Sequence, residues 1–505
     1  MAPSLPLIAA TAPMWMVSAA HKSSGKTTLS IGLAAAMARR GLRVQTFKKG
    51  PDYIDPMWLA RASGRDCINL DPYLSAEADI RDAVLARMAG ADVGFVEGNK
   101  GLYDGLSLDG SNSNAALAKL LDLPVVLVID ARGMTRGIAP LLLGYQAFDR
   151  DMRFAGVILN QLGGSRHESK LRAVIEHYTD LTVLGAVQHD PAIALDERHL
   201  GLMPDAEVHD AHARIGALAQ AVDTQVDLSR LIERCAPRQA PADTPRLRFP
   251  DAAAAAPAAP AADPVRIAVA RDAAFGFYYA DDLSALQAAG AELCFFDTLL
   301  DAALPAGVDG LFIGGGFPEM FIGPLSANQG MRASVRQAID AGLPTYAECG
   351  GLMYLSRRIH FGGKQAEMVG VIPGEVRMQA RPVGRGYVHV EATEHHPWLG
   401  AQVAAGAPVQ WRGHEFHHSR LDGLPDGTRF AWRVSRGHGI DGSHDGVLVR
   451  QCLASYTHLR HAAGTCWPEH FVAQVRRWRD AHRLTASFLT PAVHSLGDRS
   501  HADAQ

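Results

Sequence analysis

Cys349 ends an apolar approach, Thr345-Tyr346-Ala347-Glu348, and is followed at once by Gly350, Gly351 and a helix-like Leu352-Met353-Tyr354-Leu355. A nucleophile on a sharp strand-to-helix turn needs small neighbours, because the backbone there is strained and must approach the substrate closely. The helix N-terminus behind it favours the thiolate over the thiol. A lone cysteine is most often a buried core residue. The Cys-Gly-Gly turn, with His458 downstream in Ser455-Tyr456-Thr457-His458-Leu459, points instead to a thiol nucleophile. Three glycines, Gly314 to Gly316, follow the apolar Gly310-Leu311-Phe312-Ile313. Bare backbone N–H groups there, with Gly315 and Gly316 the expected pair, could stabilise an oxyanion.

A second chemistry is written near the start. An apolar strand pattern over residues 14–20 leads into His21-Lys22-Ser23-Ser24-Gly25-Lys26-Thr27-Thr28 and a helical run that ends at Gly41. Strand, Gly-Lys-Thr turn and helix form a phosphate-binding P-loop. The N–H groups of Gly25 to Thr28 would hold phosphate oxygens, Lys26 would reach the β and γ phosphates, and the Thr27 hydroxyl would ligate Mg²⁺. Ala20 stands where the pattern has its first glycine. A second strand pattern ends in Lys48-Lys49-Gly50-Pro51-Asp52-Tyr53-Ile54-Asp55-Pro56, whose two carboxylates can aim at one metal–phosphate complex or form a solvated Asx turn. Glu97 closes the strand pattern Val93-Gly94-Phe95-Val96, the position from which an acid holds Mg²⁺. The apolar runs 123–130 and 154–160 read as buried parallel strands. Ligands bind at the carboxyl ends of such strands, so Asp130 and Asn160 are candidates for nucleotide contacts, although Asp130 can equally cap a helix.

The elements that must position these groups divide the 505 residues into two α/β units. Residues 14–236 form the nucleotide domain. An Ala/Pro-rich stretch over 237–264 reads as a semi-rigid linker. A fresh strand at 265–270 restarts the α/β alternation and opens a domain over 265–470. Residues 471–505 are expected to form a short helix and then a disordered tail. Apolar residues make up 48% and charged ones 20%, the balance of a soluble globular protein. A net charge of −4 without a Lys/Arg run gives no support for nucleic-acid binding. Six cysteines without a CxxC pair suit reduced thiols, and no basic leader or apolar run of about 18 residues is found, so a cytoplasmic enzyme without a membrane partner is expected. His414-Glu415-Phe416-His417-His418 matches the zincin spacing, but nothing around it reads as the helix that spacing requires. His389, His395 and His396 are given no role.

Together these residues resemble the glutamine-dependent cobyrinate or hydrogenobyrinate a,c-diamide synthases of cobalamin biosynthesis. The resemblance rests on Lys48-Lys49-Gly50-Pro51-Asp52-Tyr53-Ile54-Asp55, on Glu97-Gly98-Asn99-Lys100-Gly101-Leu102-Tyr103-Asp104-Gly105 and on Glu197-Arg198-His199-Leu200-Gly201-Leu202. Ser23 lies where members of that family tend to carry Gly. The second half resembles the class I, triad-type glutamine amidotransferases. The implied fold is a P-loop NTPase domain of the dethiobiotin-synthetase type joined to a flavodoxin-like amidotransferase domain. The resemblance implies ATP with Mg²⁺ at Lys26, Thr27 and Glu97, and an acceptor carboxylate and its acyl phosphate among Asp52, Tyr53, Asp55 and Asp104. It also implies ammonia release from glutamine by Cys349 with His458 as general base and acid. Many triad enzymes place Glu two residues after the histidine, where this chain has Arg460, so the third member is unassigned or the site is a dyad. The implied partners are a corrinoid acid, glutamine and ATP, with room for a homodimer. Cobyric acid synthase and nickel-sirohydrochlorin a,c-diamide synthase are the neighbouring readings. A P-loop partitioning ATPase is the reading from a different class, and it leaves the Cys349–His458 half idle.

Overall fold

Strands of three to nine residues, most of them apolar and buried, build the two sheets that carry the sites. The computed structural model describes residues 12–193, 195, 197–198, 201–208, 210–237 and 263–489. In the nucleotide domain seven parallel strands lie in the order Ile68–Leu70, Val44–Lys49, Val93–Glu97, Met14–Ala19, Val125–Asp130, Phe154–Leu162 and Val183–Gln188. Parallel sheets are covered by helices on both faces, which is why their strands read as continuous apolar runs. Helix Lys26–Arg39 lies in one cover and packs on helix Ala211–Gln225. Gly32 permits the contact, since a Cβ there would meet the Val222 side chain at 2.6 Å and the Leu218 carbonyl oxygen at 3.0 Å. Glu197–Arg198 and Gly201–Leu202 pair antiparallel. His199 and Leu200 of that motif, and residues 238–262 of the expected linker, lie outside the described residues.

The second sheet begins with five parallel strands in the order Ala291–Phe296, Val265–Ala270, Gly310–Ile313, Thr345–Glu348 and Cys452–Ser455. This is the flavodoxin-like order, in which the chain runs outward from its first strand in both directions. Four antiparallel strands, His444–Val449, Phe430–Arg436, Gly384–Ala392 and Gln410–His417, extend it on the far side. A smaller four-stranded sheet, which includes Arg358–Phe361 and Ser419–Asp422, stands beside the cysteine turn.

The tail departs from expectation. A single helix, Trp467–Leu489, replaces the short one expected after 470, so the anticipated boundary falls inside an element. Trp467, Phe471, Val472 and Val475 recur at helical spacing and are buried in the second core. That apolar stripe, rather than composition, sets where the helix begins. Residues 490–505 lie outside the described set. Two histidines given no role are placed by the fold: buried His396 accepts the N–H groups of Trp398 and Leu399 through Nδ1 at 3.1 and 3.3 Å, and His389 meets the Tyr73 hydroxyl at 2.8 Å.

That last contact is part of the junction between domains. The Tyr387 hydroxyl donates to Asp71 at 2.9 Å, Arg436 donates to the Tyr73 hydroxyl at 2.6 Å, and the Tyr73 and Tyr387 rings stack at 4.1 Å. Arg460, where a triad Glu would stand, is buried; it donates to the Asn69 carbonyl across the junction and to Asp281 at 2.8 Å within its own domain. Removing one member of a buried ion pair leaves the other charge uncompensated. Arg460→Met should therefore destabilise the protein by about 3 kcal/mol, read as a lower thermal midpoint; an unchanged midpoint would remove Arg460 from the junction's energetics.

Candidate active site

The phosphate loop is held by its own strain and by one amide. Ser23 takes φ 63°, a left-handed conformation that glycine adopts freely, and Gly25 follows at φ 84°. A Cβ on Gly25 would lie 2.1 Å from Asn160 Nδ2, which donates to the Ser24 carbonyl at 3.0 Å. Asn160 thus braces the loop from the end of its strand. Asp130, the other strand-end candidate, is forked by Arg132 at 2.6–3.1 Å and caps the Arg132 N–H.

Beyond the loop, the strand ends bring one lysine among three acids. Lys48 Nζ lies 2.5 Å from Asp55, 3.1 Å from Glu97 and 3.9 Å from Asp52. Burial disfavours its charge, yet Asp55, Glu97 and Asp52 outweigh that and hold its pKa well above the usual lysine value. The Thr27 hydroxyl lies 2.6 Å from Glu97 Oε1 and 3.2 Å from Asp55. Glu97 Oε2 is buried with no hydrogen-bond partner. A fully buried carboxylate with one bare oxygen beside a P-loop hydroxyl fits a divalent cation. Mg²⁺ would be held by Thr27 and Glu97 with Asp55 beside it, supplying positive charge to the phosphates. Burial first, and the neighbouring Lys48 charge next, lower Lys26 to about 8, a cost that an incoming polyphosphate would relieve. Thr28 follows in the first helical turn, partly buried. Asp104 accepts the Gly101 N–H at 2.8 Å and lines a cavity of about 1530 Å³ together with Asp52, Lys100 and Asn112.

Cys349 and His458 line the same cavity from the other domain. Cys349 sits at φ 47°, ψ −97°, the strained elbow that its glycines were expected to permit, immediately before helix Gly350–Leu355. A Cβ on Gly350 would come within 2.9 Å of the Gly316 nitrogen, and one on Gly315 would strike His458 Cε1 at 2.7 Å. The short strand Gly315–Gly316 therefore packs against both the residue after the nucleophile and the base. Burial opposes the His458 imidazolium, but hydrogen bonding to the Cys349 thiolate and the carboxylate of Glu348 outweigh it and raise His458 to about 10. The arrangement can hold a thiolate–imidazolium pair, the resting form of a cysteine nucleophile.

A family model described as CobQ/CobB/MinD/ParA nucleotide binding domain matches residues 16–202, and one described as CobB/CobQ-like glutamine amidotransferase domain matches residues 266–465. The chain is 43% identical to the cobyrinate a,c-diamide synthase of Magnetococcus marinus over 93% of its own length and 97% of that protein's. It is 41% identical to the one from Methanosarcina acetivorans, over 90% and 94%. The chain belongs to the cobyrinate a,c-diamide synthase family. It is an ATP-dependent glutamine amidotransferase of the ligase class.

Within this family frame, three groups escaped the sequence reading. Glu348, the residue before the nucleophile, places Oε2 3.5 Å from His458 Nδ1 and accepts the Leu459 N–H at 2.9 Å and the Tyr346 hydroxyl at 2.6 Å. It stands at the His458 ring nitrogen that a third triad member would face. Its signal was the two-residue alternation that puts Tyr346 and Glu348 on one face of their strand. Lys48 was quoted within its motif without a role. His414 belongs to strand Gln410–His417, not to a helix; it packs on His458, with ring centroids 4.8 Å apart, and His418 is half-buried beyond the strand. Tyr53, expected at the acceptor carboxylate, lines the shared cavity and turns its hydroxyl onto His458 Nδ1 at 3.1 Å. Among the described residues no helix is long and apolar enough to cross a membrane.

Because the Glu348 carboxylate raises the His458 pKa, Glu348→Gln should lower it. The alkaline limb of kcat/KM for glutamine hydrolysis should then move down by about one pH unit. An unmoved limb in a variant of altered rate would deny Glu348 an electrostatic role.

Proposed function

We propose that this enzyme amidates the a and c side-chain carboxylates of cobyrinate or hydrogenobyrinate, with ATP and glutamine, in cobalamin biosynthesis. The observation that carries this reading is the shared cavity, with Cys349 and His458 on one wall and Asp52, Lys100 and Asp104 on the other. The relatives from Magnetococcus marinus and Methanosarcina acetivorans are named for cobyrinate, which supports it as the acceptor.

The chemistry follows from what each wall can do. A substrate carboxylate oxygen attacks the γ phosphorus of ATP, the bond to ADP breaks, and an acyl phosphate forms. Lys26 and Lys48 neutralise the charge on the transferred group, and Mg²⁺ would be held at Thr27 and Glu97, where it would add positive charge. Asp52, Asp55 and Asp104 fix these cations and the acceptor. In the other domain the Cys349 sulfur attacks the glutamine amide carbon, the oxyanion takes up N–H groups around Gly315 and Gly316, and His458 protonates the departing ammonia. Water then releases glutamate from the thioester. Ammonia attacks the acyl carbon and phosphate leaves.

Cys349→Ser should abolish glutamine-dependent amidation and keep amidation driven by ammonium salts. Mass spectrometry of cobyrinic and hydrogenobyrinic acids incubated with the enzyme, ATP, Mg²⁺ and glutamine should show two exchanges of OH for NH₂. Loss of both nitrogen sources in the variant would contradict the division of labour, and intact glutamine hydrolysis without either product would contradict the acceptor.

A further inference from the structure

The nearest polar atom to His458 Nδ1 outside its own domain comes from the nucleotide domain. Tyr53 Oη lies 3.1 Å away, closer than Glu348 Oε2 at 3.5 Å, and both rings are buried. The Tyr53 ring is fixed by aromatic neighbours: Phe277 stacks on it at 5.3 Å with 3° between planes, Tyr279 lies at 4.5 Å, and His414 at 5.6 Å. The chain of polar contacts continues. Tyr53 is hydrogen-bonded to the Tyr279 hydroxyl, which reaches His414 Nδ1 at 3.4 Å. The His414 and His458 backbones are paired in both directions, at 3.1 and 2.8 Å, so the rings that begin and end the chain cannot drift apart.

The direction of these bonds is constrained by His414. Burial, then the charges of His458 and Arg460, keep His414 neutral. A neutral imidazole with Nδ1 facing a hydroxyl serves as acceptor when its other nitrogen carries the proton. Tyr279 then donates to His414, Tyr53 donates to Tyr279, and the Tyr53 oxygen accepts the His458 Nδ1–H. That order leaves His458 Nε2 as the atom that serves Cys349.

We propose that Tyr53 is a positioning residue of the glutaminase centre, supplied across the domain junction, which holds the His458 Nδ1–H so that Nε2 faces the nucleophile. The inference rests on the reading of Cys349 and His458 as the glutamine-hydrolysing pair. In the step it serves, the Cys349 sulfur bonds to the amide carbon while Nε2 holds its proton ready for the amide nitrogen. The same proton leaves with ammonia when the C–N bond breaks. The position of Tyr53 also ties this centre to the phosphate site. Asp52 accepts the N–H groups of Ile54 and Asp55 at 3.0 and 3.1 Å, and Asp55 contacts Thr27 and Lys48. Glutamine hydrolysis is thus built to depend on a segment that also frames the nucleotide.

The test is Tyr53→Phe, which keeps the ring and its stacking, in the full-length enzyme, with Tyr279→Phe as a second variant. Glutamate release and amidation from ammonium salts are measured side by side. For Tyr53→Phe, kcat for glutamine hydrolysis should fall about tenfold, the scale of one hydrogen bond to a charged group, with KM for glutamine little changed. The ratio of glutamine-driven to ammonia-driven amidation should fall with it, and Tyr279→Phe should show a smaller loss in the same direction. Wild-type kcat in Tyr53→Phe, or an equal loss from both nitrogen sources, would overturn the proposal. Glutamate release is read without any tetrapyrrole, so an error in the acceptor would appear separately, as intact hydrolysis without product. A wild-type enzyme inert toward glutamine would overturn both readings.

Discussion

A carboxylate and ammonia do not condense in water at neutral pH. Oxide is a poor leaving group, and most ammonia is held as ammonium, which has no lone pair to attack with. Activation and delivery therefore have to happen in one shielded place, and the junction between the two domains is where this chain makes one. Its cavity takes its walls from residues as far apart in sequence as Asp52 and His458. The polar ties of Arg460, Tyr73 and Tyr387 keep those walls in register.

The electrostatics of the nucleotide half follow from the same burial. Lys48 is nearly inaccessible and stands among three acids, so the cluster is balanced only as a group. Glu97 keeps one oxygen without a partner in the interior, an arrangement too costly to be a packing accident unless a cation completes it. Lys26 and Lys49 are both lowered to about 8, chiefly by burial, a cost that a bound polyphosphate would relieve. In the glutaminase half the balance is internal: Cys349 and the Glu348 carboxylate together keep His458 in its charged form.

How much of this was readable beforehand depends on distance along the chain. Gly25-Lys26-Thr27 and Cys349-Gly350-Gly351 were legible because loop, helix start and reactive group are consecutive residues. The α/β alternation of the second domain was legible through apolar runs separated by helical stretches, whereas its flavodoxin-like order followed from the resemblance to class I glutamine amidotransferases. Glu348 was hidden by the habit of looking beyond the histidine for a third member, although strand alternation had already placed it. The contact of Tyr53 with His458 spans 405 residues and two domains, and no local pattern encodes it. The His-Glu-x-x-His spacing misleads for the opposite reason: it is local, but its meaning requires a helix, and residues 410–417 are a strand. The final helix was underestimated because its buried stripe begins at Trp467, behind a proline that is tolerated in a first helical turn.

The central claim is that ammonia made at Cys349 reaches the acyl phosphate without mixing with the solvent. The direct measurement supplies glutamine carrying heavy nitrogen in its amide, together with an excess of unlabelled ammonium, and reads the isotope in the amidated product. The product should carry the heavy isotope at nearly the enrichment of the glutamine, whatever the ammonium excess. Dilution of the label to the proportion present in bulk ammonia would contradict enclosed transfer and reduce the shared cavity to a coincidence of packing.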